Sequence, residues 1–249
     1  MSGHNKWAKI KHKKAGTDAQ RGKLFSRIIK EITIAARNGG GDLNGNPRLR
    51  LAVQNAKNAN MPADNIKRAI QRGTGELPGT VYEEITYECY GPAGVALMIE
   101  LVTDNKNRTV AELRHILDRN NGKLAEAGSV AWMFQKKGSL EIPKSTIKED
   151  DLLAIILDAG ADDMKTEDDY YEVTTSAETF DAVKKAIEDK SLTISNASLQ
   201  LQPQNTVRVE GKEAEQVLKL MEALEEHEDV QNVYANFDID DSVLAQLNQ

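Results

Sequence analysis

The spacing of apolar positions predicts three short helices within the first 75 residues. The first helix carries apolar residues at intervals of three and four and ends at the glycine run 39–41. Its apolar stripe consists of Phe25, Ile28, Ile29, Ile32 and Ala36. Asn46-Pro47 is typical of a helix cap followed by a first-turn proline, and Met61-Pro62 begins a third helix that Gly73 ends. The inner faces of these two helices are predicted to be Leu49, Ala52, Val53 and Ala56, and Ile66, Ala69 and Ile70.

Beyond the linker 73–79, which is rich in glycine, the pattern changes and predicts a body of strands and helices. Apolar and polar residues alternate from Ile85 to Cys89, as in a half-buried strand. The run 95–102 is apolar except for one residue, which indicates a central strand covered on both faces. A helix over 106–120 and a further strand over 129–134 are expected to follow.

Residues 138–202 carry a complete β-α-β-β-α-β pattern, the element order of a ferredoxin-like domain. The chain then returns with a strand at 206–209, a helix at 213–225 and a strand at 232–237, which we expect to complete the sheet begun at residue 81. The predicted fold class is therefore α+β, with a three-helix domain followed by two α+β domains. The predicted domains are 1–78, which is basic and helical, 79–135 with 204–249, which is discontinuous, and 136–203, which is inserted.

The charge is divided sharply along the chain. Residues 1–75 contain nine Lys and seven Arg against four acids, a net charge of +12, although the whole chain carries −7. The remaining residues therefore carry −19. A basic segment of this kind points to a polyanion partner, most often nucleic acid, in preference to a merely solvated basic face.

The expected nucleic-acid-binding residues lie on an N-terminal arm and on the outer faces of the three helices. The arm residues are Lys6, Trp7, Lys9, Lys11, His12, Lys13 and Lys14. The helix residues are Arg21, Lys23, Arg27, Arg48, Arg50, Lys67, Arg68 and Arg72. The long connection at 39–46 disfavours a helix-turn-helix, and only Trp7 and Phe25 are aromatic before residue 75, so no platform for stacking bases is present. We expect contacts to phosphates and recognition of shape.

No sequence motif of a hydrolase, a P-loop or a CxxC site occurs, so we expect no enzymatic activity, no metal and no cofactor. The acids at 162–163 and 167–169 could bind a divalent metal, but a solvated hairpin loop explains them better. A candidate anion site lies where the central strand gives way to a helix, at Asn105 and Arg108. The alternative there, simple capping of the helix, carries slightly more weight.

Cysteine content and hydropathy bear on the compartment. Cys89 is the only cysteine, which excludes a disulfide within the chain and favours a reducing compartment. No segment approaches the length of a membrane span, and no signal-peptide pattern occurs at the N-terminus. We expect a cytoplasmic monomer with no membrane partner.

Several short sequence motifs, which occur in the same order, resemble those of the YebC family over most of the chain. They are Gly3-His4-Asn5-Lys6-Trp7-Ala8-Lys9-Ile10-Lys11-His12-Lys13-Lys14, Arg21-Gly22-Lys23, Asn46-Pro47-Arg48-Leu49-Arg50, Met61-Pro62-Ala63-Asp64-Asn65-Ile66, Thr103-Asp104-Asn105, Asn107-Arg108-Thr109 and Gly128-Ser129-Val130. Three positions depart from the family pattern: Gly16 replaces a usual alanine, and Asn121 and Ala125 stand where glycines are expected around a turn at Gly122.

The resemblance implies three domains and a non-enzymatic role in gene expression. Family members are usually labelled DNA-binding transcriptional regulators. The family also includes the mitochondrial translational activator of cytochrome oxidase, and its members are interpreted as ribosome-associated factors that help to translate proline-rich stretches. Transcriptional regulation through DNA and translation through ribosomal RNA therefore both stay open. A second alternative is an acidic protein-interaction module with an incidental basic arm.

Changing Lys11, Lys13 and Lys14 to Glu is expected to remove nucleic-acid binding and to leave the fold intact, because the arm is too polar to contribute much to a core. Electrophoretic mobility shifts measure the binding, and circular dichroism checks the fold. Unchanged binding of the triple variant to both DNA and ribosomes would favour the protein-interaction module.

Overall fold

The structure, a computed structural model, describes residues 18–240 and is mixed α+β, as predicted. The N-terminal arm lies outside the described residues. The described part divides into two compact units. One contains residues 18–52, 62–134 and 203–240, and the other contains 53–61 and 135–202. The predicted three-domain boundaries stay a prediction.

The helical region consists of α1 (Asp18–Gly39), α2 (Pro47–Asn58) and α3 (Ala63–Thr74). Asn46 forms the corner between the first two helices. Its Oδ1 accepts the N–H of Leu49 at 3.0 Å, and its Nδ2 donates to the carbonyls of Ala35 and Gly40 at 2.7 and 2.9 Å. The predicted cap therefore has a second role, because the same buried amide also satisfies carbonyls at the end of α1.

Helix α3 packs against α1 through a glycine. A Cβ atom at Gly73 would lie 2.4 Å from the Thr33 carbonyl oxygen and 2.7 Å from the Ala36 Cβ, so only glycine allows this approach. The prediction that Gly73 ends the helix is wrong. Helix α3 continues to Thr74, and Gly75 ends it in the left-handed conformation at φ +82°.

The first α+β region combines a four-stranded sheet with two helices. Its elements are β1 (Glu83–Tyr90), β2 (Ala96–Thr103), α4 (Lys106–Arg119), β3 (Lys123–Leu124), α7 (Gly211–Glu226) and β9 (Val230–Ala235). The strand order is β3-β1-β2-β9. Inward side chains of the sheet, such as Leu97 and Ile99, form one core with Leu113 of α4 and Met221 of α7. This core gives α4 and the end of α7 fixed positions beside the helical region.

Two expectations for this sheet are corrected. The predicted strand at 129–134 is instead a turn that contains the 3₁₀ segment Ala131–Met133, and the next strand, β4 (Phe134–Pro143), begins only where the predicted one ends. Of the two returning strands, only β9 joins the sheet. The other, β8 (Val207–Arg208), pairs in parallel with β10 (Phe237–Asp238) as a separate two-stranded sheet.

The turn after α4 tolerates its departure from the family pattern. Asn121 adopts a left-handed backbone at φ 57°, which Asn accepts more readily than most residues. Ala125 is not among the residues with positive φ, and its N–H donates to the Glu88 carbonyl at 2.8 Å. Neither position therefore requires glycine.

The second unit contains its own four-stranded sheet. Together with β4, its elements are α5 (Glu149–Asp158), β5 (Asp163–Thr166), β6 (Tyr170–Ser176), α6 (Phe180–Asp189) and β7 (Asn196–Pro203). The strand order is β5-β6-β4-β7, as expected for a ferredoxin-like domain. Where the chain returns to the first unit, the N–H of Gln204 donates to the Met133 carbonyl at 2.8 Å. The entry and exit of the insertion are thus adjacent.

Gly73→Ala is expected to lower the free energy of unfolding by about 1–3 kcal/mol, because the added Cβ forces α3 away from α1. Gly22→Ala is the matched control, since a Cβ there meets no atom within 4 Å and the change should stabilise helix α1 by up to about 1 kcal/mol. Urea unfolding of both variants measures the difference. Equal midpoints would contradict the close approach of the two helices.

Candidate nucleic-acid interface

The structure locates the helix cations that were predicted to contact nucleic acid, whereas the arm residues lie outside the described part. Arg21, Lys23 and Arg27 are on α1. Arg48 and Arg50 are on α2, and Lys67, Arg68 and Arg72 are on α3. The eight side chains differ in their partners, and this difference decides which of them can meet a ligand.

Arg48 and Arg27 are engaged within the protein. The Arg48 guanidinium bridges Glu31 of α1, at 2.8 Å from Nε to Oε1, and Glu84 of β1. The hydrogen bonds that Arg48 donates to the Glu84 and Glu31 carboxylates raise the pKa of Arg48. Arg27 donates to the Glu225 carbonyl, and burial lowers the pKa of Arg27. The geometry thus assigns both side chains to internal contacts, Arg27 between α1 and α7 and Arg48 between the helices and β1.

The other six predicted helix cations are exposed. They are Arg21, Lys23, Arg50, Lys67, Arg68 and Arg72. None of the six forms an ion pair with an acid between residues 21 and 240. Arg50 donates only to main-chain carbonyls of the 43–44 connection, and Arg68 donates to the Asn65 amide oxygen at 2.6 Å. Within residues 21–240, no carboxylate therefore neutralises these six charges.

A buried carboxylate joins helix α1 to the sheet. The side chain of Asp229 is 3% exposed, and its Oδ1 lies 2.8 Å from Nζ of Lys30. Its Oδ2 lies 2.8 Å from Nη2 of Arg108 and 2.7 Å from the Thr109 hydroxyl. Burial would raise the pKa of Asp229, but the bonds from Lys30, Thr109 and Arg108 outweigh it and lower the pKa. Sequence reasoning missed Asp229, since it is one acid in the run 225–229.

The candidate anion site at Asn105 and Arg108 has internal partners. The Asn105 side chain caps α4 by accepting the N–H of Arg108 at 3.1 Å. The Arg108 guanidinium pairs with Asp229, with Asp104 at 3.2 Å and more distantly with Glu112. The capping alternative therefore explains these residues, because the cation already faces carboxylates.

Among the described residues, one group of side chains has the composition of a metal site: Glu112, His227 and Asp229, whose ligand atoms lie within 4.8 Å of one another. His227 Nε2 lies 2.9 Å from Glu112 Oε2, and His227 Nδ1 accepts the N–H of Asp229 at 3.1 Å. The Asp229 oxygens already accept bonds from cations and a hydroxyl. These bonds use the atoms that a metal would need, so the group is a hydrogen-bond network. In the acidic loop, Asp162 pairs with Lys137 at 2.8 Å.

Asp229→Asn keeps the size of the side chain but removes its charge, so Lys30 and Arg108 then face a neutral amide. We expect a loss of about 2 kcal/mol in unfolding free energy at neutral pH, less than for a fully buried pair because Arg108 reaches solvent. The folded-state pKa of Asp229 is depressed. The stabilisation is therefore full above the unfolded pKa of about 4 and is lost as the pH falls towards the folded pKa.

Urea unfolding at neutral and acidic pH measures this difference between wild type and variant, which should shrink in acid. The control is Asp104→Asn, whose exposed pair with Arg108 should contribute much less, because solvent screens it. Equal effects of the two changes, or a difference that does not depend on pH, would contradict the role of Asp229.

Comparisons with known proteins agree with this architecture. Residues 5–76 match the model of the TACO1/YebC protein N-terminal domain, and residues 82–237 match the model of the TACO1/YebC second and third domain. No helix of the described residues is long and apolar enough to cross a membrane.

Similar proteins cover the whole chain. Proteins named "Probable transcriptional regulatory protein" from Chloroherpeton thalassium and Dictyoglomus turgidum are 55% and 56% identical, and each alignment covers 100% of both chains. The crystal structure of a conserved hypothetical protein from Aquifex aeolicus superposes with a TM-score of 0.85 at 43% identity, and covers 92% of this chain and 95% of that one. The chain belongs to the TACO1/YebC family.

Proposed function

We propose that this protein is a non-enzymatic nucleic-acid-binding regulator of gene expression that acts on DNA in the cytoplasm as a transcriptional regulator. The observation that carries the proposal is the set of six exposed cations on α1, α2 and α3, none of which has an ion pair in residues 21–240. Five further lysines precede them between residues 6 and 14. Its relatives are named probable transcriptional regulatory proteins, which supports the regulatory part of the proposal.

Helix α3 is the element best suited to approach a duplex. Its inner residues Ile66 and Ala69 are buried, whereas Lys67, Arg68 and Arg72 are exposed. The connection at 39–46, between α1 and α2, is too long for a helix-turn-helix, but the connection from α2 to α3 contains only four residues, 59–62, which is within its range. Arg68 and Arg72 are four residues apart and so share a helix face. These features support contact of α3 with a DNA groove and its flanking phosphates.

The alternative is a ribosome-associated translation factor that binds ribosomal RNA and assists the synthesis of proline-rich stretches. The observation that favours it is that the exposed residues of α3 are Lys and Arg, which bind phosphates of any nucleic acid. Folded RNA is recognised largely through its shape and backbone. A third proposal, an acidic protein-interaction module, assigns no role to the exposed cations.

The test reverses charge on α3 with the substitutions Lys67→Glu, Arg68→Glu and Arg72→Glu. We expect weaker binding to duplex DNA, and a slope of log affinity against log salt that is shallower by about 0.9 for each phosphate that the variant no longer neutralises. The matched control is Lys165→Glu, Lys185→Glu and Lys190→Glu, three exposed lysines of the second unit with the same total charge change. The control should retain the wild-type salt dependence.

Parallel titrations with duplex DNA and a ribosomal RNA fragment separate the two nucleic-acid proposals by the ratio of affinities. If the α3 variant and the control weaken binding equally, only net charge matters and the α3 surface is not the interface. Cleavage of either nucleic acid by the wild type in the presence of magnesium would contradict a non-enzymatic role.

A further inference from the structure

A large aromatic side chain of the first unit is exposed to solvent. Trp132 lies in the 3₁₀ segment Ala131–Met133 and is 65% exposed. Its indole Nε1–H donates to the Ser129 carbonyl at 3.0 Å, which fixes the orientation of the ring. An indole left in water adds little to a hydrophobic core, whereas tryptophan is among the side chains that contribute most at binding surfaces.

A carboxylate accepts hydrogen bonds from the main chain of the turn that carries Trp132. Glu88 of β1 accepts the N–H groups of Gly128, Val130 and Ala131 at 2.6, 2.7 and 2.9 Å. Burial acts to raise the pKa of Glu88, but these backbone bonds prevail and lower it, so the carboxylate stays charged at neutral pH. Three charge-assisted bonds fix the turn, and the ring is therefore preorganised for a ligand.

Tyr90 shares a hydrogen-bond acceptor with Trp132, and a cation lies over the Tyr90 ring. The Ser129 carbonyl that accepts the indole N–H also lies 3.3 Å from the Tyr90 hydroxyl, which donates to it. The Nζ atom of Lys123 lies 6.0 Å from the centroid of the Tyr90 ring, and Lys123 is exposed. Aromatic rings beside a cation form the combination with which proteins stack unpaired bases and hold the adjacent phosphate.

We propose that Trp132, together with Tyr90 and Lys123, forms a stacking site for an unpaired base of single-stranded nucleic acid. The proposal rests on the proposed function, because it takes nucleic acid as the partner. The site would add a second kind of contact with the nucleic acid. The basic helices bind phosphates, and this site binds a base where the strands are separated. It also supplies the aromatic platform that the first 75 residues lack.

Intrinsic fluorescence can observe this site directly, since the chain contains only two tryptophans, Trp7 and Trp132. In a Trp7→Phe variant, all tryptophan emission comes from Trp132. Titration with an oligouridine of about 12 nucleotides, within the range of known single-strand site sizes, should quench this emission if a base stacks on the indole. Duplex DNA of the same length should quench it much less.

Affinity measurements on the full chain complete the test. Trp132→Ala should weaken binding to the oligouridine by about 5- to 150-fold, the range that corresponds to the removal of one stacked base, and should leave affinity for the duplex unchanged. Trp132→Phe should retain most of the affinity. Lys123→Gln should lower the salt dependence of single-strand binding by about 0.7. Circular dichroism checks that each variant is folded.

The outcomes separate this proposal from the proposed function. Absence of quenching, or equal oligouridine affinity of Trp132→Ala and wild type, overturns the stacking site while duplex binding through α3 can persist; Trp132 then belongs to a protein-binding surface. An equal decrease in affinity for single strand and duplex also overturns it, since stacking is specific to unpaired bases. If the wild type binds neither the oligouridine nor duplex DNA, the proposed function itself is wrong.

Discussion

The Asp229 carboxylate is the interaction on which the arrangement of the first unit depends. It draws together Lys30 from α1 and Arg108 and Thr109 from α4, three groups that come from two separate parts of the sequence. Its main-chain carbonyl also accepts the N–H of Val102 at the end of β2. A buried charge with cationic partners from two elements tolerates little displacement, because any shift leaves a charge without its partner. The network thus specifies where the basic helix α1 meets the sheet.

The same network explains why formal charge overstates the basic surface. Lys30 and Arg48 neutralise acids, and Arg27 and Arg37 donate to main-chain carbonyls. These four side chains form contacts within the first unit, whereas the side chains of Arg21, Lys23, Arg50, Lys67, Arg68 and Arg72 are exposed. The positive charge of helices α1, α2 and α3 therefore has two parts, one that stabilises the fold and one that is exposed. Only the second part can release counterions when a polyanion binds.

Local patterns predicted the elements well, and long-range contacts account for what they missed. The three helices, the order of the inserted domain and the cap at Asn46 follow from periodicity and capping rules, which depend on neighbouring residues. The end of α3 was misplaced because Gly73 serves a contact with Thr33, forty residues away. The partners of Arg48 and Asp229 could not be predicted either, because an ion pair between residues distant in sequence produces no local sequence pattern. Trp132 was hidden within a stretch whose apolar residues suggested a strand.

The hydrogen bond between Gln204 and Met133 bears on how this chain can fold. Strands β4 and β7 are neighbours in the second sheet, so formation of that sheet brings residues 134 and 203 close together. For the first unit, an intervening segment of nearly seventy residues then behaves as a tight turn. Closing so long a loop has an entropic cost. This cost is offset when the insertion folds and forms its own core. Strand β9, which follows the insertion, can therefore pair with β2, which precedes it, as though the two were close in sequence.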